Sequence, residues 1–150
     1  MPVSVEQIKN LRSKTGAGIM DCKKALEESG GDMEKAEKML QERGVAKAAK
    51  KSDRKASEGW IAAYVHATGK IGAMVELFCE TDFVARTEDF QKLGHELAMQ
   101  VAATDPEDLD ELLGQDYIRD PAKTVKDLIN ETIAKVGENV RAGRFVRFEI

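Results

Sequence analysis

Covalent chemistry needs a nucleophile beside a base, a matched pair of carboxylates or a set of metal ligands. The 150-residue sequence has two histidines and two cysteines to offer. His66 ends an alternating stretch and His95 lies within a helical one, neither with a partner at a recognisable spacing, so packing or surface roles outweigh a general base. Cys22 and Cys79 fall on the inward faces of their segments, which favours buried, inert thiols. They make no disulfide framework, and with two histidines they are a poor inventory for a metal. Gly16 and Gly18 follow no strand and precede no Lys-Ser/Thr pair, which argues against a phosphate-cradling loop. An enzyme built on His66 with Glu76 or Glu80 has no spacing signature. The exception is Thr81-Asp82-Phe83-Val84, where an alternating segment runs into a polar pair and then an apolar pair before a helix. Two placements of Phe83 are open: a helix-entry staple inserted into the core, or an apolar anchor projecting toward a partner's pocket.

The elements that must position this turn can be read from periodicity. Ser4 and Gln7 form a capping box, and Val5, Ile8 and Leu11 recur at helical spacing until Thr15-Gly16-Ala17-Gly18. A second helix runs from about Ile19, with Cys22, Ala25 and Leu26 on one face and Gly30-Gly31 as its stop. Asp32 caps a third, with Met33, Ala36, Met39 and Leu40 inward and an expected end at Gly44. Residues 45–57 carry Lys47, Lys50, Lys51, Arg54 and Lys55 with few apolar anchors, as in a basic, solvated helical linker. The period then changes. Trp60 to His66 reads as a strand, Gly69-Lys70 as a turn, and Ile71, Ala73, Val75, Leu77 and Cys79 alternate with more polar neighbours, giving a hairpin.

Beyond the turn, Phe90, Leu93, Leu97 and Val101 mark a helix, and the acidic, proline-containing stretch 104–120 reads as loop. Val125, Leu128, Ile129, Ile133 and Val136 mark another helix ended by Gly137, and Val146, Phe148 and Ile150 alternate in a final strand. The expected fold is α+β, with three units: a three-helix domain over 1–44, the linker over 45–57, and over 58–150 a small antiparallel sheet packed with helices.

Composition narrows the function classes. Hydrophobic residues are 42% of the chain, enough for a core, and charged residues 33%. No apolar run reaches the roughly 18 residues of a membrane span, and Met1-Pro2-Val3-Ser4-Val5-Glu6 lacks the layout of a signal peptide, so a reducing cytoplasmic location is expected. The net charge of -4 argues against generic nucleic-acid binding. It is unevenly spread: residues 1–55 carry 13 Lys+Arg against 9 Asp+Glu, and residues 56–150 carry 10 against 18. A nucleic-acid or ribosome-associated adaptor using the basic linker would want aromatics interleaved with the Lys/Arg run, and Trp60 lies beyond it.

Six stretches carry a resemblance. Leu11-Arg12, Thr15-Gly16-Ala17-Gly18, Met20-Asp21-Cys22-Lys23-Lys24-Ala25-Leu26, Lys47-Ala48-Ala49-Lys50-Lys51, Cys79-Glu80-Thr81-Asp82-Phe83-Val84-Ala85 and Lys135-Val136-Gly137-Glu138-Asn139 resemble the elongation factor Ts family in order and spacing. The resemblance spans nearly the whole chain. It implies a ubiquitin-associated-like N-terminal domain, a core of antiparallel strands and helices, and acceleration of GDP release from the translational GTPase elongation factor Tu, with no covalent chemistry and no cofactor. Carried over residue by residue, Arg12, Ile19 and Met20 belong to a surface docking on the GTPase domain. Thr81, Asp82, Phe83 and Val84 form a loop that intrudes near its magnesium and phosphates. The chain departs from the family pattern in a short segment between Val101 and Thr124, in one core unit where long members have two, and in Ile19 and Val136, where Met and Ile are usual. Short-form members pair through their cores, so a non-covalent homodimer is expected, with Arg144 to Ile150 at a sheet edge.

Overall fold

The computed structural model describes residues 2–150. Three helices open the chain: α1 (Val5–Thr15), α2 (Ile19–Glu28) and α3 (Met33–Lys51). The Ser4 hydroxyl accepts from the Gln7 amide while the Gln7 side chain accepts from Ser4, closing the expected capping box, and the Asp32 carboxylate accepts from the Lys35 amide. Leu11, Cys22, Ala25, Leu26, Ala36 and Leu40 interlock as a small core of their own.

Gly44 does not end α3. A glycine inside a helix costs about 1 kcal/mol relative to alanine, but the Ala/Lys-rich residues that follow are strong helix formers, and Ala48 is buried in the larger core downstream. The helix therefore carries on through the basic stretch to Lys51.

Strand β1 (Glu58–Val65) pairs antiparallel with β2 (Ile71–Cys79), which pairs antiparallel with β5 (Arg141–Glu149), so β2 is central and β5 is an edge. Because side chains alternate across a strand, Ala73, Val75, Leu77 and Cys79 face inward from β2 and are buried with Ala62 and Ala142 from its neighbours. Against that face lies α5 (Glu88–Thr104), supplying Phe90, Leu93, Leu97, Ala98 and Val101. A Cβ at Gly94 would come within 2.9 Å of Ala62 Cβ, so the missing side chain sets how close α5 approaches β1. Helix α7 (Val125–Val136) packs on α5 and α3 through Val125, Ile129 and Ile133.

The stretch expected as loop over 104–120 is partly ordered. Asp108 caps α6 (Leu109–Gly114), whose Leu109, Leu112 and Leu113 have helical spacing that the surrounding acidic residues obscure. A two-stranded hairpin follows, β3 (Asp116–Tyr117) with β4 (Asp120–Thr124). It is tied to α5 by side chains: the Tyr117 hydroxyl donates to Glu96 at 2.6 Å, and Gln100 accepts from the Ile118 amide and donates to the Asp116 carbonyl. Burial and the Glu96 carboxylate both raise the Tyr117 pKa, so this phenol stays protonated and donates. Between the hairpins sits α4 (Asp82–Ala85), a single turn at the end of β2. No helix among the described residues is long and apolar enough to cross a membrane.

Candidate functional site

The stretch singled out by its sequence is the turn leaving the central strand. Thr81 caps α4, its hydroxyl accepting from the Val84 amide at 3.3 Å. Val84 was expected on the projecting loop; it is 6% exposed and packs into the main core, because the second and third helical positions of one turn cannot face the same way. Phe83 faces the other way and is 81% exposed. Of the two placements open from sequence, the projecting one holds for Phe83, while Val84 takes the inward role. Leaving a phenylalanine in water forgoes about 2–3 kcal/mol of burial energy. Asp82 is exposed beside it and pairs with Arg86 one helical turn on.

The base of the turn is held by groups distant in sequence. Gly137 ends α7 in the left-handed region (φ 75°), which reverses the chain and brings Glu138 under the end of β2. One Glu138 oxygen accepts from the Glu80 amide at 3.2 Å and from the Thr81 amide at 3.0 Å; the other accepts from the Thr81 hydroxyl at 2.8 Å. The Cys79 thiol donates to the Thr81 carbonyl at 3.1 Å. Burial, with the Glu138 carboxylate nearby, pushes that thiol up to about 11, which keeps it a donor and an unreactive one. Glu80 in turn accepts from the Asn139 amide at 3.0 Å and lies 3.7 Å from Arg54, while the Asn139 side chain donates to the Arg54 carbonyl at 2.8 Å. The turn is thus tied to the segment just after α3. Sequence reasoning did not assign Glu138 and Asn139 to this site; the signals it had were the helix-ending glycine immediately before them and their place in one of the stretches that carry the family resemblance.

The other predicted residues lie on the three-helix unit. Ile19 and Met20 occupy the first turn of α2, 53% and 63% exposed, while Cys22, two positions on, is fully buried with its pKa raised by burial. Arg12 is exposed on α1 and makes no ion pair among the described residues. Arg12, Ile19 and Met20 lie on the outside of α1 and α2, the helices built around the smaller core, whereas Thr81 to Phe83 follow β2, which builds the larger one. His66 and Glu76 are kept apart: the strand partner of Glu76 is Ile61, in the middle of β1 and five residues before His66, and the Glu76 carboxylate is held by Arg144 at 2.9 Å. That pairing draws Glu76 down to about 2. No cluster of metal-ligating side chains occurs among the described residues.

Comparison with known proteins bears on what such a turn is for. The family model described as Elongation factor TS matches residues 80–150, which begins at the residue that Asn139 holds. Elongation factor Ts of Thermoanaerobacter sp. (strain X514) is 46% identical, covering 98% of this chain and 94% of its own length. That of Leptospira biflexa serovar Patoc is 45% identical, covering 100% and 98%. This chain belongs to the elongation factor Ts family. Elongation factor Ts of Thermotoga petrophila is similar at 46% identity over 100% of this chain and 97% of its own. The alignment to the Leptospira protein runs over 195 positions against 150 residues, so that relative carries internal residues absent here. Membership makes the chain a nucleotide exchange factor of translation elongation.

Proposed function

We propose that this chain accelerates GDP release from elongation factor Tu by docking on its GTPase domain through Arg12, Ile19 and Met20 and pressing Asp82 and Phe83 toward the magnesium and phosphates. The observation carrying this reading is Phe83: a large apolar side chain standing in water on a turn whose base is fixed by hydrogen bonds with Cys79 and with the Glu138-Asn139 segment after α7. An anchor of that kind is typically worth about 2 kcal/mol or more to an interface. Covalent chemistry is not needed. An exchange factor must bind the nucleotide-free partner more tightly than the GDP-bound one, and GDP must weaken the factor's grip by the same ratio.

The adaptor alternative draws on the basic stretch after Gly44. Two of its cations are already engaged within the chain, Lys47 with Asp21 at 3.6 Å and Arg54 with Glu80 at 3.7 Å, and this weighs toward exchange. The proposal includes pairing of two copies without a disulfide. Its support is the outer face of the sheet, where Ile61, Val65, Met74, Val146 and Phe148 are exposed side by side in register and β5 is an edge. Such an apolar face and open edge favour association.

The test of the exchange reading is release of a fluorescent GDP analogue from elongation factor Tu. The chain is expected to speed release at substoichiometric amounts; an unchanged rate, with RNA recovered in a pull-down instead, would move the assignment to the adaptor. For the pairing, sedimentation velocity across micromolar concentrations should show a concentration-dependent dimer unaffected by reductant, and a strict monomer would remove it.

A further inference from the structure

We propose that Glu138 is a positioning residue for nucleotide exchange, one that touches no partner and acts by fixing the turn from which Phe83 projects. The inference rests on the reading of Phe83 given above and goes beyond it by assigning what holds that side chain in place. The end of the central strand is where backbone groups lose their ladder partners. Here the amides of Glu80 and Thr81 are both satisfied by a single Glu138 oxygen, and the second oxygen fixes the direction of the Thr81 O–H. With its proton committed to Glu138, the Thr81 oxygen presents lone pairs to the Val84 amide, which caps α4. One carboxylate therefore sets three hydrogen bonds and, through Thr81, a fourth.

These are charge-assisted bonds, stronger than neutral ones. They brace a helix of a single turn, too short to be stable by itself. Phe83 at 81% exposure has little packing to hold it, and below it only Val84 and Ala85 enter the core. Ordering supplied before the encounter does not have to be supplied during it, so a braced turn transmits more of its contact energy to the partner. Asn139 extends the brace by gripping Glu80 on one side and the Ser52 and Arg54 carbonyls on the other. The turn is thereby referenced to the end of α3, the helix that also carries the docking unit.

The test compares Glu138→Ala, Glu138→Gln and Phe83→Ala in GDP release from elongation factor Tu, titrating the factor. Glu138→Ala should lower the maximal release rate about tenfold while the half-saturating concentration stays within about twofold, because docking by α1 and α2 is untouched. Glu138→Gln keeps an oxygen for the two amides and should recover most of the rate. Combining Glu138→Ala with Phe83→Ala should give no further loss, since the brace acts only through the side chain it positions. Independently of any partner, amide hydrogen exchange at Glu80 and Thr81 should rise in Glu138→Ala with the rest of β2 still protected, which also establishes that the variant folds. If Glu138→Ala were to release GDP at the wild-type rate while Phe83→Ala was slow, the positioning role would be wrong and the exchange reading would stand. A wild-type rate for Phe83→Ala would instead overturn the exchange reading. An equal extra loss in the double variant would make Glu138 a general structural residue and overturn the proposal.

Discussion

The three-helix unit and the α+β core each leave apolar side chains in water, and they do so differently. Met20 stands on the side of α2 away from Cys22, Ala25 and Leu26, and Ile19 is exposed as the first residue of the same helix. Both are presented by one regular helix. Phe83 stands on one isolated turn, held by Cys79 just before it and by Glu138 and Asn139 from elsewhere in the chain. A surface that docks needs area and tolerates small displacements. A side chain that must disturb a partner's site needs a fixed position, and a misplacement of ångström size is costly there. The contrast in support matches the contrast in proposed roles.

The largest expected effect probes whether the two regions are independent. Phe90→Ala, which empties the centre of the α5 packing, should cost about 3–5 kcal/mol in urea unfolding of the core. Leu26→Ala removes an equally buried side chain from the smaller unit and should cost about 2–5 kcal/mol. Native-state hydrogen exchange should then show α1 and α2 opening while β2 amides stay protected. If β2 opened together with α1, the continuous α3 would make both regions one cooperative unit and the contrast would fail at that level.

Effects on binding come next. Met20→Ala and Arg12→Ala should each weaken association with elongation factor Tu by about 1–2 kcal/mol, read by titration calorimetry, with unfolding unchanged. A loss of melting cooperativity in both would show these residues holding the fold instead.

The smallest effect concerns a group that is exposed and fixed at once. Arg144 holds the Glu76 carboxyl down to about 2, so the ionised form is favoured in the fold. Its stabilising contribution is present above the ordinary carboxylate range and is lost as pH falls from about 4.5 toward 2. NMR titration of the Glu76 carboxyl should give a midpoint near that low value, returning toward 4.5 in Arg144→Ala. An unshifted midpoint in the wild type would mean that the pair is not formed in solution.

What was legible in the sequence was what local chemistry decides. The Ser4 and Asp32 caps, the glycine stops at Gly16 and Gly137, the alternation of β2 and the helical stripe of α5 each appear as read. Gly44 misled because a single unfavourable residue was weighed without the helix formers around it and without Ala48, whose burial depends on tertiary packing. The order within 104–120 was hidden because Gln100 and Glu96 on α5, rather than any local pattern, hold the β3–β4 hairpin. At the site, the projection of Phe83 was visible as an alternative and the inward placement of Val84 was not, a distinction of one position in one turn. Glu138 was out of reach for a plainer reason: its partners lie 57 and 58 residues away, and periodicity does not report such contacts.

The central claim is that docking and disturbance are carried by different regions, and one titration tests it. Fluorescent GDP release from elongation factor Tu is measured against increasing concentrations of wild type, Met20→Ala and Phe83→Ala. The account predicts that Met20→Ala raises the half-saturating concentration and leaves the maximal rate in place, while Phe83→Ala lowers the maximal rate about tenfold or more and leaves half-saturation in place. A wild-type maximal rate for Phe83→Ala, or the same parameter moving in both variants, would contradict it.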